Sequence, residues 1–296
     1  MAIPRQQTLP RPAFGVASPT LLESGRLPQI PLGEVRVHAI RQSECVAHVM
    51  RALDRRTGGS IATVNLDHWR RLRTDAAFRA AYRDASLVVA DGMPLVWASR
   101  LQGTPLPERV AGSDLIFSLT RAAAEHDHGV FLLGGNPGTA EIAAQRLAEQ
   151  APGLRVVGTH CPQRGFEQDP AQLAAVRELV ARSGAGIVFV ALGSPKQELF
   201  IHAQRSALPQ AWWIGVGISF SFVAGEVRRA PLWVQRHGLE WLHRLLQDPA
   251  RLWTRYLWHG PWSAARLFAQ ALWRRVRPLA PEPTAMAPDS GSMSPP

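Results

Sequence analysis

Short apolar runs that end in glycine or aspartate turns, each followed by a helical pattern, recur through the middle of this chain. Strand patterns fall at residues 35–40, 61–64, 87–90, 130–133, 155–159, 187–191 and 212–216. Helical patterns fall at 42–55, 67–82, 93–101, 115–125, 139–150, 171–181, 196–204 and 232–246. Runs this apolar read as strands buried on both faces. Their alternation with helices leaves one economical architecture, a mostly parallel sheet with helices on both faces. The expectation is therefore an α/β, Rossmann-like core. In such sheets ligands bind beyond the carboxyl ends of the strands, so polar groups at those ends are the site candidates.

Residues 86–114 carry the densest set. The apolar run Leu87-Val88-Val89-Ala90 leads into Asp91-Gly92, which puts a carboxylate at a strand end and makes it a candidate general base. Arg109 follows in a proline-flanked loop that runs into Gly112-Ser113-Asp114. It reads either as an anion binder or as a pin holding the loop against Asp114. Thr63 and Asn65 end another strand and could hydrogen-bond a sugar or base; Asn65 or Asp67 could equally cap the next helix, with Asp67 the better choice.

Glycines supply the remaining candidates. Gly134 and Gly135 open a strand–turn–helix whose amides could hold a phosphate, or which could be a tight turn only. Gly193-Ser194-Pro195 repeats this arrangement and sets Lys196 and Gln197 in the first turn of a helix. A lysine at that positive helix end is awkward unless an anion lies near, though it could also be solvated. Gly215 and Gly217 end a further strand and suit close backbone approach. Glu167 and Asp169 lie in a glycine- and proline-flanked loop and read as solvent-facing, and His126 and His128 read as a surface pair.

The formal net charge of +10 points to anionic partners. It is concentrated at the C-terminal end, where residues 228–277 hold ten arginines against Glu240 and Asp248, with six of the ten tryptophans. Arginine and tryptophan interleaved over helical segments read as a basic amphipathic appendage suited to an anionic bilayer, or else as a packed terminal helix whose arginines face water. Pro261 is expected to break or kink these helices. Cys45 and Cys161 have no metal-ligand or disulfide spacing, which suits a reducing cytoplasm. Neither a signal-peptide core nor an apolar run of membrane-spanning length is found, so membrane contact is expected to be peripheral. No nucleic-acid-binding signature stands out, and nucleic acid is not expected as a partner. Walker, nucleophile-elbow and HExxH motifs are missing, and so is an Asp-x-Asp pair; no metal and no cofactor are expected, and arginines and backbone amides are left to meet any diphosphate. The expected organisation is a mobile segment at 1–33, a core at 34–246, the appendage at 247–277 and a disordered tail at 278–296.

Taken in order, Thr63-Val64-Asn65, Ala90-Asp91-Gly92, residues 107–114, Phe131-Leu132-Leu133-Gly134-Gly135, residues 191–198, Gly215-Val216-Gly217, Arg229-Ala230-Pro231 and Gly238-Leu239-Glu240-Trp241 resemble the WecG/TagA/CpsF family of glycosyltransferases, over about residues 35–255. The resemblance implies an inverting, metal-independent transfer from a UDP-sugar to a polyprenyl-diphosphate-linked acceptor, in cell-surface polymer synthesis on the cytoplasmic membrane face. N-acetylmannosamine, its uronic acid and glucose are compatible sugars, and a homo-oligomer is compatible too. By the same resemblance Asp91 is the base, Thr63, Arg109 and Gln197 belong to the site, and Arg244, Arg251 and Arg255 reach the diphosphate. Two other readings remain at this point, a Rossmann-type NAD- or S-adenosylmethionine-dependent enzyme and a non-catalytic, nucleotide-sensing membrane adaptor.

Overall fold

In the computed structural model residues 27–277 are described. Most of the segment expected to be mobile, and the whole of 278–296, therefore lie outside the described residues. A six-stranded, all-parallel sheet forms the centre. In chain order its strands are β3 (Gly59–Val64), β4 (Leu87–Ala90), β5 (Gly129–Gly134), β6 (Arg155–His160), β7 (Ile187–Ala191) and β8 (Trp212–Gly215), and their spatial order is β4-β3-β8-β7-β5-β6. The apolar runs become strands because both faces are covered: β4, β5, β7 and β8 are buried along their whole lengths.

The strand ends are level. Val64 pairs with Ala90, Gly134 with Ala191, and Val190 with Gly215. Every polar group just beyond these residues therefore emerges at one edge. From β5 the chain continues to its neighbour β6, and from β7 it continues the other way to β8. The crevice between β5 and β7 is thus a switch point, and both glycine turns flank it.

The helices that cover the sheet are α1 (Gln42–Asp54), α2 (Leu66–Arg71), α3 (Ala76–Arg83), α4 (Met93–Gln102), α5 (Gly112–Glu125), α6 (Thr139–Gln150), α7 (Pro170–Arg182) and α8 (Lys196–Gln204). After β8 come α9 (Ser219–Val223), α10 (Leu232–Arg236), α11 (Glu240–Gln247), α12 (Pro249–Trp253), a π-helical turn (Thr254–His259) and α13 (Gly260–Val276).

Several expectations need correction. Residues 35–40 do not join the main sheet. Instead β1 (Gln29–Leu32) and β2 (Val35–His38) form an antiparallel hairpin turned at Gly33, whose φ is +63°. Residues 27–33, expected to be mobile, are thus partly a strand. The single helix read at 67–82 is two, because Asp75 caps a new start by accepting from the Phe78 amide at 2.9 Å. The helix read at 232–246 is also two, parted at Gly238 with φ +71°. Pro261 stands in the first turn of α13 directly after the π-helical turn Thr254–His259, so the α-helical pattern of this C-terminal run is interrupted just before the proline.

α13 folds back onto the body of the protein. Leu267 and Ala271 are buried in one cluster with Trp69, Leu95, Ala98 and Leu32. Leu267→Ala is expected to cost about 2–5 kcal/mol, as truncation of a fully buried leucine does. Urea unfolding checks this; an unchanged midpoint would mean that α13 contributes nothing to the folded unit.

Candidate active site

The level strand ends gather Thr63, Asp91, Gln197, Gly215 and Gly217 into one region. Asp91 is fixed by its backbone: its amide donates to the Val64 carbonyl at 2.7 Å, and the Val110 amide donates to the Ala90 carbonyl at 2.8 Å. That second bond draws the 107–114 loop over the sheet edge. Gly112 then lies so close that a β-carbon there would sit 3.1 Å from the Gly215 carbonyl and 3.7 Å from the Thr63 methyl. Thr63 is buried, and its carbonyl accepts from the Tyr82 hydroxyl at 3.0 Å and contacts His68 Nδ1 at 2.9 Å.

Around Arg109 the loop, the strand end and the C-terminal helices meet. Its Nη1 lies 3.5 Å from Asp91 and 3.6 Å from Glu240, and its Nη2 lies 2.8 Å from Asp114. Arg229 closes the ring, 2.6 Å from Asp114, 3.8 Å from Glu240, and donating to the Ser113 hydroxyl at 3.0 Å. The pin reading of Arg109 has its counterpart in the contact with Asp114, and the same guanidinium touches the candidate base. Burial works against its charge, but Asp91, Asp114 and Glu240 together raise its pKa.

Three carboxylates share two guanidinium groups, so negative charge is in excess. Burial pushes the Asp91 pKa up; Arg109 opposes this, while Glu240 and Asp114 add to it. Asp91 nevertheless keeps 28% of its side chain exposed, enough to meet a substrate. Beside it opens a groove of about 420 Å³ between α4, the loop and α10, lined by Met93, Val96, Arg100, Arg109 and Leu232.

Gln197 is buried, and its amide is oriented from both ends. It donates to Glu198 Oε1 at 2.9 Å and accepts from the Gly217 amide at 3.0 Å. Gly215 must be small here, because a β-carbon would stand 2.6 Å from Gln197 Nε2. Gly134 (φ +99°) and Gly135 (φ +88°) turn the chain after β5, with the Gly135 amide donating to the Ala191 carbonyl at 2.9 Å. Gly193 (φ +74°) turns it after β7.

Other candidates sit differently. Asn65, not Asp67, is the cap of α2: its Oδ1 accepts from the Asp67 and His68 amides at 3.0 Å each, while Asp67 pairs with Arg70 inside the helix. Lys196 forms an ion pair with Glu167, so Glu167 is engaged rather than simply solvent-facing. Arg244 lies over the Phe222 ring, 5.6 Å from its centroid, one turn beyond Glu240 on α11. The side chains of Arg251 and Arg255 lie outside the described residues. Arg229 and Glu240 were not singled out for the site from the sequence, although both fall in motifs that carry the resemblance.

The family model described as "Glycosyl transferase WecG/TagA/CpsF family" matches residues 30–277. The chain belongs to this family. It is similar to the "N-acetylglucosaminyldiphosphoundecaprenol N-acetyl-beta-D-mannosaminyltransferase" of Bacillus spizizenii (strain ATCC 23059 / NRRL B-14472 / W23), with 36% identity over 69% of this chain and 77% of the relative. It is similar also to the Bacillus subtilis (strain 168) protein of the same name, at 33% identity over the same shares. As a WecG/TagA/CpsF protein the chain is a glycosyltransferase, and the nicotinamide, S-adenosylmethionine and adaptor readings fall away.

A base at Asp91 would act ionised, and the charge around it would then set the acid limb of the reaction. Glu240→Gln removes one of the negative neighbours that raise the Asp91 pKa. The acid limb of the kcat/KM profile is expected to move to lower pH in this variant; an unmoved or upward-shifted limb would break the link between Glu240 and Asp91.

Proposed function

We propose that the enzyme transfers N-acetylmannosamine from a UDP-sugar to N-acetylglucosamine linked through diphosphate to a polyprenol, with inversion, at the cytoplasmic face of the membrane. The uronic acid of that sugar, or glucose, is the alternative donor residue. The names of the two Bacillus relatives support this choice of sugar and acceptor. The observation that carries the chemistry is the half-buried Asp91 carboxylate, proton-affine and exposed at the strand end beside the groove.

The acceptor hydroxyl attacks the anomeric carbon as the bond from that carbon to the UDP oxygen breaks. Asp91 takes the hydroxyl proton, and the electron pair of the broken bond leaves with UDP. Attack from the face opposite the leaving group inverts the anomeric centre. Charge that develops on the diphosphate is met by preorganised donors. In this reading these are the amides of the Gly134–Gly135 and Gly193 turns, with Arg244, Arg251 and Arg255 from the appendage. Gln197, Thr63 and Asn65 bound the sugar-nucleotide side, and Lys196 stands at its rim. Arg109 holds Asp91 and orients the acceptor, and neither a metal nor a cofactor is invoked in the step.

A peripheral membrane position accords with the surface. All the exposed large apolar side chains of the described residues except Trp97, Ile142 and Leu179 lie between Leu232 and Val276. Trp233, Trp258 and Trp262 are each more than 60% exposed, and no described helix is long and apolar enough to cross a bilayer. Tryptophan belts beside arginine suit an anionic headgroup layer. Leu232 lines the groove at Arg109, so a lipid-linked acceptor would enter from the membrane side.

Asp91→Asn is expected to lower kcat about 10²–10⁴-fold with UDP-N-acetylmannosamine and a polyprenyl-diphosphate acceptor, since it removes a general base. Product mass identifies the sugar moved, and unchanged turnover would sink the base assignment. Stability separates chemistry from misfolding. A carboxylate whose folded pKa is raised binds more protons folded than unfolded, so it costs stability as pH rises through that pKa. The asparagine variant should accordingly be no less stable than the parent at neutral pH. Binding to vesicles should require anionic lipid and weaken with salt; equal flotation with neutral and anionic vesicles would refute the basic-surface reading.

A further inference from the structure

At the amino ends of the strands, across the sheet from the catalytic edge, three side chains converge that the transfer reaction does not use. Asp54 is the last residue of α1, and His126 and His128 stand on the turn between α5 and β5. His126 Nδ1 lies 3.4 Å from one Asp54 oxygen, and His128 Nε2 lies 3.1 Å from the other. The imidazole rings are nearly parallel, 11° apart. All three donor atoms lie within 4.8 Å of one another.

We propose that Asp54, His126 and His128 form a zinc-binding site distinct from the active site. Two imidazoles and one carboxylate suit borderline divalent ions such as Zn²⁺. With bonds of about 2.0–2.1 Å, the edges of a tetrahedral zinc site are about 3.3 Å long; each imidazole stands near that distance from its own Asp54 oxygen, so small side-chain rotations would bring one oxygen and both ring nitrogens around an ion. Two ring protons satisfy the same carboxylate by hydrogen bonding; a divalent cation does so with one charge centre and leaves each ring its proton on the opposite nitrogen.

The turn is braced by its own hydrogen bonds. The amides of His126 and His128 donate to the Ala122 and Ala123 carbonyls at 3.0 and 2.8 Å. Between them Asp127 adopts φ +55°, which sends its two neighbours to the same side. Arg155 clamps that residue twice, at 2.7 Å to the Asp127 carboxylate and 2.8 Å to its carbonyl. A site so prepared pays little ordering entropy on binding. The partial exposure of all three side chains leaves an entry path and room for a water as fourth ligand. The ion would tie the end of α1 to the start of β5, and would stabilise the fold by binding it in preference to the unfolded chain.

The test titrates the full-length protein with Zn²⁺ by calorimetry and with Co²⁺ by visible absorption. The parent is expected to bind one ion beyond the stoichiometry of a His126→Ala/His128→Ala variant, to show cobalt d–d bands, and to gain Tm with Zn²⁺. Asp54→Asn, a near-isosteric change on an exposed side chain, should weaken binding by about tenfold or more while leaving both histidines in place. Equal binding by the parent and the double-alanine variant would overturn the site. So would a parent that shows neither cobalt bands nor a zinc-dependent rise in Tm.

Discussion

The Arg109 guanidinium is the contact on which the catalytic edge depends. It touches a strand end through Asp91, its own loop through Asp114, and the C-terminal helices through Glu240. Glu240 is far from the other two in the chain, and the three pieces share no backbone hydrogen-bond ladder. A partly buried charge touched by three carboxylates is costly to strip of a partner, by about 3–5 kcal/mol where burial is complete. The cluster therefore fixes which loop and which helix face Asp91, and it does so with an excess of negative charge. That excess works with burial to keep Asp91 willing to take a proton. The linkage sign makes this a trade, because the same raised pKa lowers stability at neutral pH.

Helix α11 gives the trade a second consequence. Glu240 and Arg244 are one turn apart, so they lie on one face of that helix. Glu240 adjusts the carboxylate end of the site, and Arg244 stacks on Phe222 of α9, which follows β8 directly. The opposite side of the same short helix leaves Leu242 and Leu246 exposed. A bilayer that received those leucines and the neighbouring tryptophans would press on the element that tunes Asp91. In the proposed arrangement, membrane contact and site electrostatics would converge on these eight residues.

The sheet was legible from the chain because its central apolar runs had to be buried on both faces, and the strand-end carboxylate followed from where its run stops. Local pattern failed where side-chain capping overrode periodicity. Asp75 ends one apparent helix and starts another, and Asn65 takes the cap that Asp67 seemed suited to. It failed again at β2, whose apolar residues resemble those of a sheet strand but whose turn at Gly33 returns the chain at once. Arg229 and Glu240 were visible as charges, but their partners on the 107–114 loop lie more than 100 residues away, and periodicity carries no information at that range. Asp54 stayed hidden for the same reason, while the His126/His128 pair alone resembled ordinary surface residues.

Glycine spacing decides how near those distant charges can come. Gly112 lets the loop rest on β8 and β3, and Gly215 lets Gln197 rest on the end of β8. Gly238 works in the same way for the appendage. A β-carbon there would stand 2.9 Å from Met93, two residues beyond Asp91, and its φ of +71° turns α10 into α11. A larger residue would have to lift the turn off α4, and Glu240, two positions on, would lift with it. The distance from Glu240 to Arg109 is therefore set less by their attraction than by the absence of a side chain at Gly238. Coulomb energy falls only as the inverse of distance, but each ångström of lift also admits water between the charges and screens them. A backbone position with no charge of its own thus bears on how closely Glu240 of α11 can approach Arg109 and, through it, Asp91.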